Sequence, residues 1–194
     1  MFDILVACTR EGGIGKNGSI PWYLPPDLKY FRKITTKTVC ATKQNAVIMG
    51  RNTWHSLHKK PLANRMNVVL TSAENLDDIT KDGGHVCRSL DEALSFLKTQ
   101  EQIENVFVIG GERLYKEALE HAECSSVYAT IVESENEHEN GNGYECDAFF
   151  PIHRLERQGD SMKQWGDFTM VSFTFGFRYK GIYYEFRKYD KVQD

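Results

Sequence analysis

Short apolar runs recur along the chain at Phe2 to Cys8, Ala46 to Met49, Asn67 to Leu70, His85 to Cys87, Val106 to Ile109 and Val127 to Val132. Each is of strand length and β-prone. Between them, helical spacing appears at Pro26 to Ile34, Asn52 to Leu57, Leu90 to Leu97 and Glu112 to Leu119. Such alternation predicts an α/β fold: a mostly parallel central sheet of about eight strands with flanking helices. The tail breaks the rhythm. Two aromatic runs, Met170 to Phe177 and Ile182 to Tyr189, flank Arg178-Tyr179-Lys180-Gly181. They predict a C-terminal antiparallel hairpin that closes the sheet.

At 194 residues with 41% hydrophobic content, the chain predicts a single domain over residues 1–194. A formal net charge of -3, with both signs mixed along the chain, gives no basic stripe for nucleic acid and favours small-molecule partners. Cys8, Cys40, Cys87, Cys124 and Cys146 are scattered and odd in number, as expected of reduced thiols. The opening MFDILVACTREGG lacks a basic leader and a membrane-length apolar run, so the expected compartment is the cytoplasm, away from membranes. Glu133 to Glu145 is rich in Glu and Asn and lacks a calcium-loop pattern; it predicts a solvated connecting loop.

Glycines mark the candidate chemistry. Gly13-Ile14-Gly15-Lys16-Asn17-Gly18 follows the first strand and fits the spacing of a dinucleotide fingerprint, in which the third glycine opens a helix. Here Ser19-Ile20-Pro21-Trp22 continues as loop and the helix begins near Pro25, so the Rossmann reading fails. A phosphate loop of the Gly-Lys-Ser/Thr type fails as well. The loop then either closes over a ligand or simply needs several positive φ angles. Gly110-Gly111 is different, because it lies between an apolar strand and a helix start. Gly50 and Arg51 repeat that arrangement, with Thr53 in the first helical turn. Both strand ends suit an anion, or only a close strand-to-helix crossing. Metal and hydrolase chemistry find no support: His55 and His58 have neither a third ligand at motif spacing nor a nucleophile elbow.

One acid stands out. Asp27, Phe31 and Ile34 share a helix face, while Lys29, Arg32 and Lys33 occupy the other. An acid in a first turn complements the helix dipole. Alternatively, Trp22, Leu24, Leu28 and Phe31 wall it in, raise its pKa and leave it seeking a flat ring with amino and N–H donors.

The segments GIGKNGSIPW, PPDLKYF, VIMGRNTWHSL, PLANRMNVVL, VIGGERLY, ATI and DAFFP, in that order, resemble dihydrofolate reductase essentially end to end. The resemblance implies NADPH-dependent reduction of 7,8-dihydrofolate to tetrahydrofolate by a monomer that also takes antifolate-like molecules. By it, Asp27 is the active-site acid, with Trp22 and Thr130 ordering the acid and a relaying water. Leu5, Val6, Ala7 and Ile109 border the pterin. Leu28, Phe31, Leu57 and Leu62 wall the aminobenzoyl group, Arg65 clamps the glutamate, and Tyr115 contacts substrate and cofactor. For the cofactor it implies Ala7 and Ile14, then Gly15, Lys16, Asn17, Gly18 and Ser19 as a closing loop, and Gly50, Asn52, Thr53, Leu70 and Ile109. Gly110, Gly111, Glu112, Arg113, Leu114 and Tyr115 match pyrophosphate and nicotinamide positions. Arg51, Thr71, Ser72 and Arg88 match those around the adenosine 2'-phosphate.

Several positions depart from the family pattern. Asn52 stands where many relatives carry a basic residue, Ser72 where some carry Arg, and Glu112 places an acid beside the glycine pair. Rivals are a reductase of the same fold acting on a pyrimidine intermediate of flavin synthesis, and an NADPH-binding protein without turnover. Asp27 after PWYLPP argues against the first. The joint presence of Asp27, Trp22, Thr130 and the glycine loops argues against the second.

Overall fold

The computed structural model describes residues 1–135, 143–155 and 168–192. Its elements run β1 (Phe2–Thr9), β2 (Gly13–Gly15), α1 (Pro25–Thr36), β3 (Gln44–Gly50), α2 (Arg51–Ser56), β4 (Arg65–Leu70), α3 (Asp77–Thr80), β5 (His85–Cys87), α4 (Leu90–Lys98), β6 (Ile103–Val108), α5 (Glu112–Glu120) and β7 (Cys124–Ser134). After these come β8 (Ala148–Phe149), a 3-10 turn (Ile152–Arg154), β9 (Phe168–Phe173), β10 (Phe177–Tyr179) and β11 (Ile182–Lys191). Among the described residues, one nine-stranded sheet has the order β10-β11-β7-β1-β6-β3-β4-β5, with β9 also paired to β11. The run from β7 to β5 is parallel and β11 is antiparallel to its three partners.

Alternation along the strands sorts side chains onto two faces, as strand geometry demands. Phe2, Ile4, Val6 and Cys8 of β1 join Ala46, Ile48, Val68, Val108, Val127 and Ala129 in one core with Leu90, Leu94, Leu114 and Leu119 of α4 and α5. Leu5, Val47, Met49, Val69 and Phe107 point the other way, packing with Phe31 and Ile34 of α1, Trp54 of α2 and Ile79 of α3. Polar positions on the strands are therefore informative, because both faces are covered.

The chain steps outward from β1 through β3 and β4 to β5, and then β6 returns between β1 and β3. This reversal brings the carboxyl ends of β1, β6 and β3 together, and crevices at such a point are where open α/β sheets hold ligands.

The predicted C-terminal hairpin is corrected in detail. Met170 to Phe177 is not one strand: β9 ends at Phe173 and β10 begins at Phe177, and both lie along β11. The turn is only Lys180-Gly181, with φ of 47° and 80° at these two residues, because Tyr179 pairs with Ile182. Glu133, predicted to start the acidic loop, instead belongs to β7 and pairs with Arg10. Residues 136–142 of that predicted loop lie outside the described residues.

Candidate active site

Pro25 and Pro26 open α1 with preset φ angles and no need for N–H partners, which places Asp27 in the first turn. There it meets β7. Thr130 Oγ1 donates to Asp27 Oδ1 at 2.6 Å, and Thr130 is itself buried. Desolvation pushes the Asp27 carboxyl above the usual range, and the Thr130 hydrogen bond pulls it partly back. Thr130 is the register partner of Ala7 on β1, so the acid lies beside the segment Leu5, Val6, Ala7. Trp22 packs with Leu24, Val132, Ile182 and Tyr184 on the neighbouring stretch of β7 and β11, its ring 5.2 Å from that of Tyr144.

Next to the acid is an apolar wall. Phe31, Leu57 and Leu62 gather against the core that holds Leu5 and Ile109. Leu28 does not join them: it is 51% exposed. Arg65 closes this end, donating through Nη1 to Thr35 Oγ1 at 2.7 Å and through Nε to the Ala63 carbonyl, with its guanidinium 5.8 Å from the Phe31 ring. Burial, and then the neighbouring charge of Arg32, lower the Arg65 pKa, so a nearby anion would relieve it. Asn67 fixes the loop that presents Leu62: it accepts from Leu62 N and donates to the carbonyls of Leu62 and Arg65. Neither Thr35 nor Asn67 was singled out in the sequence. Asn67 was legible as a polar residue on a strand covered on both faces.

The two glycine strand ends meet. Gly50 N donates to the Gly110 carbonyl at 2.8 Å. A Cβ on Gly111 would lie 3.3 Å from Thr53 Oγ1, and one on Gly50 3.8 Å from Gly111 N. These three glycines leave a bare patch of backbone in front of the first turn of α5. Gly110 has a φ of 118°, and a Cβ there would press on the Tyr115 ring at 3.2 Å. Tyr115 in turn donates its hydroxyl to the Leu5 carbonyl at 2.8 Å, a buried bond that ties α5 to β1. Glu112, an unfavourable charge beside the patch, is drawn away: Lys116 and then the Phe149 amide bond its carboxylate and hold its pKa low. Arg113 and Leu114 follow it in α5, with Leu114 buried in the core.

The loop Gly13 to Ser19 is more structured than a bare turn. β2 pairs with β8, and Lys16 and Ser19 bond each other's backbones across Asn17-Gly18, whose φ angles are 50° and 74°. Asn17 N donates to Asp147 Oδ2 at 2.8 Å, and Lys16 Nζ is 3.5 Å from Glu145. Ile14 packs on the core.

Further out, Gly50, Leu70 and Cys87 are register partners at the ends of β3, β4 and β5. Arg51, Thr71 and Arg88 each follow one of them, and Asn52 and Ser72 come next. Arg88 Nη1 donates to the carbonyls of Thr71 and Ala73. Arg51 is already engaged: Nη2 donates to Asp78 Oδ2 at 3.1 Å and Nε to His55 Nε2 at 3.2 Å. Nothing in the sequence signalled Asp78, which lies on a helix of only four residues.

Among the described residues no group of three His, Cys, Asp or Glu side chains is placed to hold a metal ion, and no helix is long and apolar enough to cross a membrane. Comparison with known proteins gives a match to the family described as dihydrofolate reductase over residues 1–166. A protein of Drosophila melanogaster named dihydrofolate reductase is 36% identical over 152 residues, 77% of this chain and 79% of that protein. One of Heliothis virescens with the same name is 37% identical over 152 residues. A bifunctional dihydrofolate reductase-thymidylate synthase of Glycine max is 41% identical over 155 residues, 77% of this chain. The chain spans only 28% of the length of that relative.

Proposed function

The chain belongs to the dihydrofolate reductase family, and from that premise we propose that it reduces 7,8-dihydrofolate to 5,6,7,8-tetrahydrofolate with NADPH. The overall change consumes one NADPH and one proton and releases NADP⁺. The observation that carries this reading is the half-buried, desolvated carboxylate of Asp27, hydrogen-bonded by the buried Thr130 and opening onto an apolar wall.

Asp27 binds the amino group and ring N–H of the pterin. A neutral ring has little affinity for a proton at N5, and a carboxylate in a low-dielectric site raises it. Thr130 holds the acid in place, Trp22 orders the water that relays the proton, and Arg65 takes the glutamate carboxylate of the substrate. Phe31, Leu57 and Leu62 exclude water around the aminobenzoyl group.

The backbone at Gly50, Gly110 and Gly111, which carries no side chains in front of the first turn of α5, fits a pyrophosphate. Thr53 and the loop Ile14 to Ser19 would hold the nicotinamide half, with Arg51, Thr71, Ser72 and Arg88 at the adenosine end. When bound, NADPH supplies the hydride for pterin C6; the protein orients the two rings and manages one proton. The unbroken sheet supports a single domain.

The assay is loss of NADPH absorbance on adding dihydrofolate to purified protein. The proposal expects dihydrofolate-dependent oxidation in the wild type, and its absence would refute it. NADPH binding without turnover would instead favour a binding protein.

A further inference from the structure

The Arg51 guanidinium is held by two partners. Asp78 Oδ2 lies 3.1 Å from Arg51 Nη2 and 3.1 Å from His55 Nε2, while Arg51 Nε points at the same imidazole nitrogen. This is more than two surface side chains crossing. Trp54 sits between Arg51 and His55 on α2, Ile79 follows Asp78 on α3, and both are fully buried in one core. At Gly84 a Cβ would touch Ile79 Cγ2 at 2.6 Å and Trp54 Cη2 at 3.2 Å, so the two side chains close on the same point. That packing fixes α3 against α2 and holds the Asp78 carboxylate in front of Arg51. Asp77, one residue earlier, pairs instead with Lys81 on its own helix. Desolvation alone would raise the Asp78 pKa, but the hydrogen bond and charge of Arg51, with smaller contributions from its own backbone and His55, together outweigh it and hold the carboxyl below the usual range.

We propose that Asp78 is a specificity-determining residue: it competes with the adenosine 2'-phosphate for Arg51 and so limits how strongly the site prefers NADPH over NADH. The inference rests on the reading of the cofactor site above. A phosphate arriving at Arg51 must either displace the carboxylate or share the guanidinium with it, and two anions on one cation repel each other. NADH, lacking that phosphate, leaves the Arg51–Asp78 pair undisturbed. Asp78 therefore weakens binding of the phosphorylated dinucleotide alone.

The test is calorimetric titration of NADPH and NADH into the full chain, compared as the ratio of their dissociation constants. Asp78→Asn is expected to raise the preference for NADPH about two- to five-fold, the range of an exposed charge pair. Asp77→Asn, which removes the same charge from the same helix turn without touching Arg51, is expected to leave it unchanged. Circular dichroism and melting temperature establish that both variants are folded. An unchanged ratio in Asp78→Asn, or an equal rise in Asp77→Asn, overturns the proposal. Arg51→Gln separates the two levels of the argument. If the wild type binds NADPH and Arg51→Gln leaves the ratio unaltered, the cofactor reading stands and this inference falls. If the wild type binds neither dinucleotide, both fall.

Discussion

The Asp27 end and the Arg51–Arg88 end of the candidate site lie along the same carboxyl edge of the sheet, yet they are made of different materials. At the first, one carboxylate is desolvated by packing, held by a buried hydroxyl and walled by Phe31, Leu57 and Leu62. At the second, cations stand partly in water and are partnered by backbone carbonyls, an imidazole and a carboxylate. Charge interactions are strong where water is excluded and weak where it is not. The difference predicts that chemistry is concentrated at Asp27, while the outer end tunes affinity in small steps.

The largest effect expected is from Asp27→Asn. The amide cannot become a carboxylate beside the pterin, and turnover at neutral pH should fall by about 10²- to 10⁴-fold, the usual worth of a positioned acid or base. The same variant should be more stable without ligands. A raised acid pKa means that the folded state binds more protons than the unfolded state, so Asp27 costs stability as pH rises above its unfolded value. A melt of the variant at pH 7 above that of the wild type, with the gap closing toward pH 3, checks the sign.

Next comes Gly110→Ala, which probes the glycine patch between the two ends. Its positive φ and the Tyr115 ring at 3.2 Å predict a loss of about 1–3 kcal/mol in chemical denaturation, with weakened NADPH binding. Arg65→Gln should raise the KM for dihydrofolate about ten-fold or more, as expected for a charge-assisted bond in a half-buried site, and leave the KM for NADPH alone. Smallest is Arg51→Gln, which should weaken NADPH binding only about two- to five-fold, since Arg51 and its carboxylate partner Asp78 both stand partly in water. Equal losses for Arg51→Gln and Arg65→Gln would erase the contrast.

How much of this was visible in the sequence follows the same contrast. The parallel core was legible because β-prone runs and helical spacing alternate, whereas the register of β1, β3, β4 and β6 emerges only from the structure. Asp27 was legible as an acid on an apolar face, and Gly50 and Gly110-Gly111 as strand-end glycines. Arg65 came from family resemblance alone, because nothing local distinguishes it from a surface arginine; its partners Thr35 and Phe31 lie on α1, far from β4 in the chain. The pairing of β2 with β8 joins residues more than 130 positions apart and carries no local signal. Asp78 was hidden for a similar reason, since its meaning depends on Arg51 and on the distant Trp54, which packs with Ile79, the neighbour of Asp78, against Gly84. The break between β9 and β10 was obscured because Thr174 bonds Phe186 through both backbone and side chain, which keeps one aromatic run along β11 while dividing it.

The most direct measurement of the central claim is the pH dependence of hydride transfer, followed by single-turnover mixing of the NADPH complex with dihydrofolate, in wild type and Asp27→Asn. If Asp27 governs protonation of N5, the wild-type rate falls as pH rises through a value above that of an ordinary carboxylate, and Asp27→Asn loses that titration along with most of its rate. Superimposable pH profiles in the two proteins would contradict the account.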